Sequence, residues 1–282
     1  MEWICPVCGR PLREEETRYA CARGHSFDRA KSGYVNLLSG GGHAKLPGDN
    51  RMMVRARRAF LEQGFYRPLA EALCGEMLAL QRRCGWEAPA LLDAGCGEGY
   101  YTGAVMRALG ETCRPAVYGV DISKFALDAA AKQNRDCRFA VASVFHLPVA
   151  AGRADCLTSL FAPYCGTEFW RVLKPRGAMV MVIPGRFHLW ELKEAVYDRP
   201  YENEVRDYAL DGFSFRARRA VEDVITLERP EDIRSLFLMT PYYYKTSRQD
   251  QEKLFALERL RTRISFEILI YEKEDADGTS GQ

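Results

Sequence analysis

The chain has 282 residues, enough for one large domain and a small one, and 47% of them are hydrophobic. The formal net charge of +2 excludes a strongly acidic or basic chain, although residues 1–85 carry 14 Lys and Arg against 9 Asp and Glu. With no apolar run near the roughly 18 residues of a membrane span and no apolar signal segment at the start, we expect a cytoplasmic protein, no membrane partner and reduced cysteines.

The first motif is a set of metal ligands. Cys5 and Cys8 are separated by two residues, and Cys21 and His25 by three. Two closely spaced pairs of soft ligands joined by a short loop are typical of a tetrahedral zinc site, and a disulfide is disfavoured in a reducing compartment. Four protein ligands leave no open position, so the predicted Zn²⁺ is structural. A module this small needs its metal to fold.

A helical segment follows the module. Ser39–Gly42 has the composition of a flexible linker, and we assign 41–85 as linker and helices. Asp49 or Asn50 can cap a first helix that runs to Gly64, and a second helix is expected from about Pro68 to Cys84.

The first of these helices carries an arginine face. Arg51, Arg55 and Arg58 recur at helical spacing and fall on one side. That side could bind the phosphates of a polyanion, or it could be an ordinary solvated face.

From about residue 86 the pattern changes to alternating strands and helices. Apolar strands and amphipathic helices alternate through "APALLDAGCGEGYYTGAVMRALG", "AVYGVDISKFALDAAAKQ", "CRFAVASVFHLP", "ADCLTSLFAP", "TEFWRVLKP" and "GAMVMVIP". This alternation predicts an α/β fold, a doubly wound Rossmann-like parallel sheet across 86–273. The terminal "RISFEILIYEKE" should add an antiparallel strand, and the tail 274–282 has the composition of a disordered segment.

A glycine-rich turn follows the first strand of this sheet. Asp93 precedes the turn, which places Gly95, Gly97 and Gly99 at alternate positions, and Asp121 ends the second strand. This spacing differs from the dinucleotide-binding pattern, and Asp121 could bind both hydroxyls of a ribose. The turn therefore favours S-adenosylmethionine (SAM), although Asp93 could instead stabilise the turn and Asp121 could cap a helix.

With these motifs in place, the chain resembles a known family. Besides the zinc ligands, the matching blocks are "HSFDRAKSGYVNLL", "GDNRMMVRARRAFLEQGFYRPL", "LDAGCGEGYYT", "GVDISKFALDAAAK", "VLKPRGAMVMVIPGRFHLWELK" and "LMTPYYY". In this order they resemble the class I SAM-dependent methyltransferases, and among them the 23S rRNA (guanine-N1)-methyltransferases of the RlmA family. One departure is "KPRG" where the family usually has KPGG.

The resemblance implies a function and a division of the chain. It implies a zinc-finger RNA-recognition module at 1–40, a methyltransferase domain at 86–273, and methylation of N1 of a guanosine in a 23S rRNA hairpin. It also adds Tyr66, Tyr101, Thr102 and His188 to the cofactor residues. Without it, Tyr66 could equally be a packing residue and His188 a residue bound to backbone.

The chemistry at the acceptor is less defined by the sequence. Guanine N1 carries a proton and must be unpaired, and the stretch Ser159–Tyr164 offers hydroxyls and aromatic faces beside the expected acceptor pocket. Asp49 and Asp155 are candidate bases, but the catalytic residue remains unknown at this level. Two other functions stay open, a small-molecule methyltransferase of the quinone type and a non-catalytic RNA-binding adaptor. A homodimer also stays open.

Overall fold

The computed structural model describes residues 1–38, 47–204 and 207–275. The predicted linker at Ser39–Gly42 and the tail residues 276–282 lie outside the described residues. No helix in the described ranges is both long and apolar enough to cross a bilayer.

The N-terminal module is a small antiparallel meander that leads into one further strand. Strand β2 pairs with both β1 and β3. The strands are β1 (Leu12–Glu14), β2 (Arg18–Cys21), β3 (Ser26–Asp28) and β4 (Val35–Asn36).

Two helices follow, α1 (Arg51–Glu62) and α2 (Arg67–Cys84), as the sequence predicts. Asn50 caps α1, because its side chain accepts hydrogen bonds from the backbone N–H groups of Met52 and Met53, at 2.9 and 3.1 Å. Gly64 lies just beyond the helix with a φ of +82°, a left-handed conformation that favours glycine and ends the helix.

The rest of the chain alternates strands and helices before it ends in two long antiparallel strands. The elements are β5 (Ala90–Ala94), α3 (Tyr100–Gly110), β6 (Ala116–Asp121), α4 (Lys124–Gln133), β7 (Arg138–Val141), β8 (Ala154–Leu160), α5 (Gly166–Val172), β9 (Leu173–Pro184), α6 (Trp190–Val196), β10 (Phe213–Leu227), α7 (Pro230–Leu238), α8 (Tyr242–Lys245), α9 (Arg248–Phe255) and β11 (Leu260–Lys273).

Eight strands form one mixed sheet in the order β10-β11-β9-β8-β5-β6-β7-β4. The six strands from β9 to β4 in this order are parallel to one another, whereas β11 runs antiparallel to β9 and to β10. The predicted Rossmann-like sheet and its antiparallel C-terminal strand are therefore confirmed. The sequence analysis missed β10 and the participation of β4.

The two faces of the sheet are covered differently. Side chains at alternate positions of each strand point to opposite faces, and one face packs against helices that include α1 to α4. The other face packs against α5 and the N-terminal module. The module and the sheet therefore share one hydrophobic core.

The contact between module and sheet has two parts. Trp3 is fully buried, and its ring lies edge-on to Tyr118 of β6 with 5.1 Å between centroids. Strand β4 extends the sheet itself, since Val35 pairs in parallel with Ala140 of β7. The module is thus held by backbone hydrogen bonds as well as by apolar burial.

Candidate cofactor cavity and metal site

A cavity of about 660 Å³ opens at the carboxyl ends of β5, β6 and β8, the position at which doubly wound sheets bind ligands. The helical segment before β5 and residues 239–242 also contribute to its walls. Its polar and charged lining includes Asp49, Arg57, Tyr66, Asp93, Glu98, Tyr101, Asp121, Ser143, Ser159, His188, Thr240 and Tyr242.

Gly95 and Gly97 of the glycine turn line the cavity, and a larger residue would not fit at Gly95 or at Gly99. Gly95 has a φ of +87°, and a Cβ at this position would lie 2.3 Å from the Cβ of Ala162. Gly99 has a φ of +81°, and a Cβ there would lie 2.9 Å from the Cβ of Ala130 in α4. The turn can therefore pass close to both Ala162 and helix α4.

Asp93 is a buried carboxyl at the end of β5. Thr102 and Thr158 donate hydroxyl hydrogen bonds to its two oxygens, at 2.5 and 2.9 Å. Burial raises the pKa of Asp93 to about 6, although the two hydroxyl donors oppose the rise. A cationic ligand group beside Asp93 would favour its ionised form.

Asp121 ends β6 and organises the adjacent backbone. Its carboxylate accepts hydrogen bonds from the N–H groups of Gly97, at 3.0 Å, and Ser123, at 2.8 Å. Ser123, not Asp121, is the side-chain cap of α4, because its hydroxyl accepts from the N–H of Ala126. Burial raises the pKa of Asp121, and its oxygens retain lone pairs that face the cavity.

Tyr66 and His188 form a buried pair in the cavity wall. The backbone N–H of Ser265 donates to Nδ1 of His188, at 3.2 Å, so a neutral ring carries its proton on Nε2. Burial lowers the pKa of His188 to about 3, and the ring is therefore neutral at pH 7. Its Nε2–H faces the Tyr66 oxygen at 3.3 Å, which leaves the Tyr66 hydroxyl proton available to a ligand.

Two further hydroxyls in the lining have no protein partner among the described residues. They are the buried Oγ of Ser159 and the buried Oη of Tyr101. Buried polar groups are normally hydrogen-bonded, so both hydroxyls fit a polar ligand in the cavity. Carboxylates, hydroxyls and glycine backbone form a donor and acceptor set that fits the ribose and amino-acid groups of SAM.

Most of the predicted cofactor residues meet in this cavity. Seven of the nine line it, namely Tyr66, Asp93, Gly95, Gly97, Tyr101, Asp121 and His188. Thr102 lies behind Asp93, and Gly99 begins α3 outside the lining. Of the two candidate bases, Asp49 lines the cavity, whereas Asp155 accepts hydrogen bonds from Ala90 N–H and from Lys174 away from it.

The end of β8 and the segment that follows it form another part of the cavity wall. Ser159 to Pro163 line the cavity, but Tyr164 turns outward and packs against Phe169. Phe161 has a φ of +55°, a conformation that costs a non-glycine residue about 1–3 kcal/mol. Its ring is half exposed and lies 5.6 Å from the Phe266 ring, so a strained backbone presents an aromatic face to the cavity.

Sequence reasoning missed Arg57 and Glu98 as lining residues. The signal for Arg57 was present, because it falls on the buried stripe of α1 with Met53 and Phe60, four residues before it and three after it. The wall from Met239 to Tyr242 was missed because it comes from the distant α7–α8 region.

The predicted metal ligands are gathered at one point in the module. One ligand atom from each of Cys5, Cys8, Cys21 and His25 lies within 4.8 Å of the others. The Sγ atoms of Cys8 and Cys21 are 3.7 Å apart, and Nδ1 of His25 lies 3.4–3.5 Å from the Sγ atoms of Cys21 and Cys5. A tetrahedron with Zn–S bonds of about 2.3 Å has edges of about 3.7 Å, so this set fits zinc.

The thiol of Cys21 has the chemistry of a metal ligand. Burial acts against ionisation, but backbone N–H donors at Arg23 and His25 and the neighbouring Cys8 and His25 side chains lower the pKa of Cys21 to about 6. Cys21 therefore favours the thiolate form that binds zinc, whereas burial raises the pKa of Cys5.

The arginine face of α1 borders a second depression of about 600 Å³, which we call the α1–α4 groove. Arg51, Arg55 and Arg58 line one side of it, and Lys124 and Lys132 of α4 line the other. Its remaining lining residues are Tyr34, Val54, Phe125, Asp128 and Ala129. The predicted arginine face is thus part of a larger basic groove.

Comparisons with known proteins agree with this architecture. The family model described as "RlmA, N-terminal", a zinc ribbon, matches residues 3–39, and a "Methyltransferase domain" model matches residues 91–177. A protein of Micromonospora griseorubida, provisionally named 23S rRNA (guanine-N1)-methyltransferase, is 39% identical over 67% of this chain and 67% of its own length. The 23S rRNA (guanine(748)-N1)-methyltransferase of Streptomyces fradiae is 38% identical over 68% of this chain and 66% of its own length.

Two further similar proteins match this chain over a larger share of its length and of their own. A Bacillus subtilis (strain 168) protein, provisionally named 23S rRNA (guanine-N1)-methyltransferase YxjB, is 29% identical over 94% of this chain and 95% of its own length. A solved structure from Bacillus halodurans C-125, provisionally described as a methyltransferase, covers 71% of this chain and 100% of its own at 14% identity and a TM-score of 0.48.

The metal site predicts a stability effect that reaches the sheet. Replacing Cys5 and Cys8 together by Ser should remove the zinc, about one ion per chain, as measured by metal analysis. Because the module buries Trp3 against the sheet, the free energy of unfolding of the rest should fall by about 3–5 kcal/mol, the scale for losing a buried Trp. Denaturant unfolding followed by circular dichroism measures this loss.

The matched control is Cys84→Ser, which removes an exposed thiol outside the ligand set. It should keep its zinc and its stability. Stoichiometric zinc in the double variant would contradict the assignment of these ligands.

Asp93 predicts a stability gain that depends on pH. The folded protein holds the Asp93 proton up to about pH 6, above the ordinary value of 3.8, so ionisation destabilises the fold as pH rises through this window. Asp93→Asn should therefore raise the free energy of unfolding by about 2–3 kcal/mol at pH 8, with little gain at pH 4. Denaturant unfolding at the two pH values measures it, and an equal gain at both would exclude this origin.

Proposed function

The chain belongs to the family of 23S rRNA (guanine-N1)-methyltransferases, and from that membership we propose that it methylates N1 of a guanosine in a hairpin of 23S rRNA. It has the SAM-dependent methyltransferase domain that this reaction needs. The observation that carries the proposal is that a zinc ribbon packs against the same sheet whose strand ends form the acid-lined cavity.

The two other functions are less well supported. A small-molecule methyltransferase would have no use for a basic groove beside its cavity, and five cationic side chains line that groove. A non-catalytic adaptor would have no need of a cavity lined by four carboxyl residues, two of them buried, and by two hydroxyls that have no protein partner in the described part of the chain.

The proposed reaction asks the protein mainly to hold two groups in line. When bound, SAM supplies an electrophilic methyl group on its sulfonium. In the proposed arrangement Asp121 accepts the ribose hydroxyls, Asp93 faces the amino group, and the Tyr66 hydroxyl donates to the same ligand. The glycine turn at Gly95, Gly97 and Gly99 leaves room for it, while Tyr101, Thr102 and His188 complete or support the wall.

The guanine base is proposed to enter beside the segment after β8. Phe161 offers an exposed ring on which an unpaired base can stack, and Ser159 offers a hydroxyl without a protein partner. The N1 proton must leave as the methyl group arrives. Asp49 is the one of the two candidate bases that lines the cavity, and the catalytic base itself is left unassigned.

The RNA backbone is proposed to lie in the α1–α4 groove. Arg51, Arg55 and Arg58 face Lys124 and Lys132 across it, so phosphates can be contacted from both sides. Helix α1 begins two residues after Asp49 and helix α4 three after Asp121, and both carboxyls line the cavity. The groove therefore adjoins the cavity. A single RNA strand can run from the phosphate contacts in the groove to the reaction site in the cavity.

Partner and location follow from the proposed substrate. Because bacterial ribosomes are cytoplasmic, a ribosomal RNA substrate supports the cytoplasmic location expected from the sequence. The zinc module, proposed to span 1–40, would contact the hairpin next to the groove, since Tyr34 belongs to the groove lining. A homodimer stays a hypothesis.

The direct test is incubation with unmodified 23S rRNA and labelled SAM. The label should appear in N1-methylguanosine by nucleoside mass spectrometry. A methyl group on N1 blocks Watson–Crick pairing, so reverse transcriptase should stop at a single position in a hairpin. A label found only on small metabolites would overturn the proposal.

The groove predicts a change in the salt dependence of RNA binding. Arg55→Glu with Arg58→Glu should weaken binding of an rRNA hairpin and flatten the slope of log K against log salt by about two units, one for each lost phosphate contact. Filter binding between low and high salt measures the slope, and calorimetry should show unchanged SAM affinity.

Arg82→Glu with Arg83→Glu is the matched control. It reverses two exposed charges at the end of α2, which leads into the amino end of β5, whereas the cavity lies at the carboxyl end of that strand. Equal effects from the two pairs of substitutions would show that the groove has no special part in RNA binding.

A further inference from the structure

The charges that line the cavity are strongly unequal. Four carboxyl residues line it, namely Asp49, Asp93, Glu98 and Asp121. Against them, Arg57 is the single lining residue with a permanent positive charge in the part of the chain that the structure describes. His188 does not add a second charge, because burial keeps its pKa near 3.

Arg57 is held over the glycine turn. Its Nη1 donates to the carboxylate of Asp49, and its Nη2 lies 3.4 Å from the carbonyl oxygen of Met239. A Cβ at Gly97 would lie 3.7 Å from Nη1, which places the guanidinium directly above the turn. Although burial opposes the charge, Asp49 and then Glu98 raise the pKa of Arg57, so the side chain stays cationic.

The guanidinium has more donors than these contacts use. It carries five N–H groups in a planar fork that matches a carboxylate, and the protein contacts take two of them. Arg57 lines a cavity whose other charged residues are all acidic. A ligand carboxylate in this cavity would therefore be repelled everywhere except beside Arg57.

The predicted cofactor brings two cations and one anion. The sulfonium and ammonium groups of SAM suit an acid-lined cavity, but its α-carboxylate does not. We propose that Arg57 binds the α-carboxylate of SAM and thereby selects cofactors that retain this group. The inference rests on the proposed function only in taking SAM as the cofactor, and it needs no assumption about RNA.

The test compares ligands that differ in the carboxylate. Calorimetry measures the affinities of wild-type protein and of Arg57→Gln for SAM and for decarboxylated SAM, which keeps the sulfonium and the amine. We expect the wild type to prefer SAM by about 10- to 100-fold, the range for a charge-assisted pair. Arg57→Gln should lose this preference through weaker SAM binding, with affinity for decarboxylated SAM unchanged or increased.

Two further variants separate a loss of charge from a loss of folding and from an unspecific effect. Arg57→Lys retains the charge without the fork and should keep part of the preference, which matters if Arg57→Gln melts at a lower temperature. Arg67→Gln removes an exposed arginine at the start of α2 and should leave the preference at the wild-type value.

Two results would overturn the inference. An equal loss of affinity for both ligands in Arg57→Gln would show that Arg57 only maintains the cavity through Asp49. An unchanged preference would show that the carboxylate is bound by another group. Failure of the proposed function is distinguishable, because it would appear in the wild type as absent SAM binding or absent methylation of rRNA.

Discussion

The structure depends on one constraint, that both apolar faces of the eight-stranded sheet must be removed from water. Helices satisfy it on one face, whereas on the other face the buried cluster combines α5, the loop that carries Val144, Leu147 and Val149, and the N-terminal module. The module has too few apolar residues to fold alone, so its order depends on the tetrahedral ligand set. A metal site outside the cavity lining thereby helps to hold the strands whose carboxyl ends form the cavity.

A second constraint acts inside the cavity. Burial raises the pKa values of Asp93, Glu98 and Asp121, so the ionised forms of these carboxyls are electrostatically unfavourable in the cavity. Phe161 adds backbone strain at the same site. Such costs are common at binding sites, and a cationic ligand would lower the electrostatic cost of the ionised carboxyls.

The parts of the fold that could be predicted from the sequence are those with a local signature. The strand–turn–helix units at Asp93 and Asp121, the cap at Asn50 and the antiparallel β11 all follow from short patterns of apolar, glycine and capping residues. The zinc ligands have a similarly local spacing. Seven of nine predicted cofactor residues line the cavity for the same reason, since they flank the glycine turn or lie in blocks that resemble the family.

What escaped prediction depends on contacts between distant segments. Strand β10 has a charged, mostly exposed sequence, and its strand form depends on full-length pairing with β11 and on partners such as Glu267 for Arg218. Strand β4 has two residues and no pattern of its own. Arg57 was hidden in a run of arginines, and only the packing of α1 separates it from the exposed Arg55 and Arg58.

Strand β4 also has a consequence for biosynthesis. Its partner β7 lies about one hundred residues later, so at roughly 5–20 residues per second the ribosome takes about 5–20 seconds to supply it. During that interval the module has its metal but not its sheet, and Trp3 has no surface to pack against. In this order of events zinc binding precedes docking, and the ligand set is the part of the module that can form before β7 emerges.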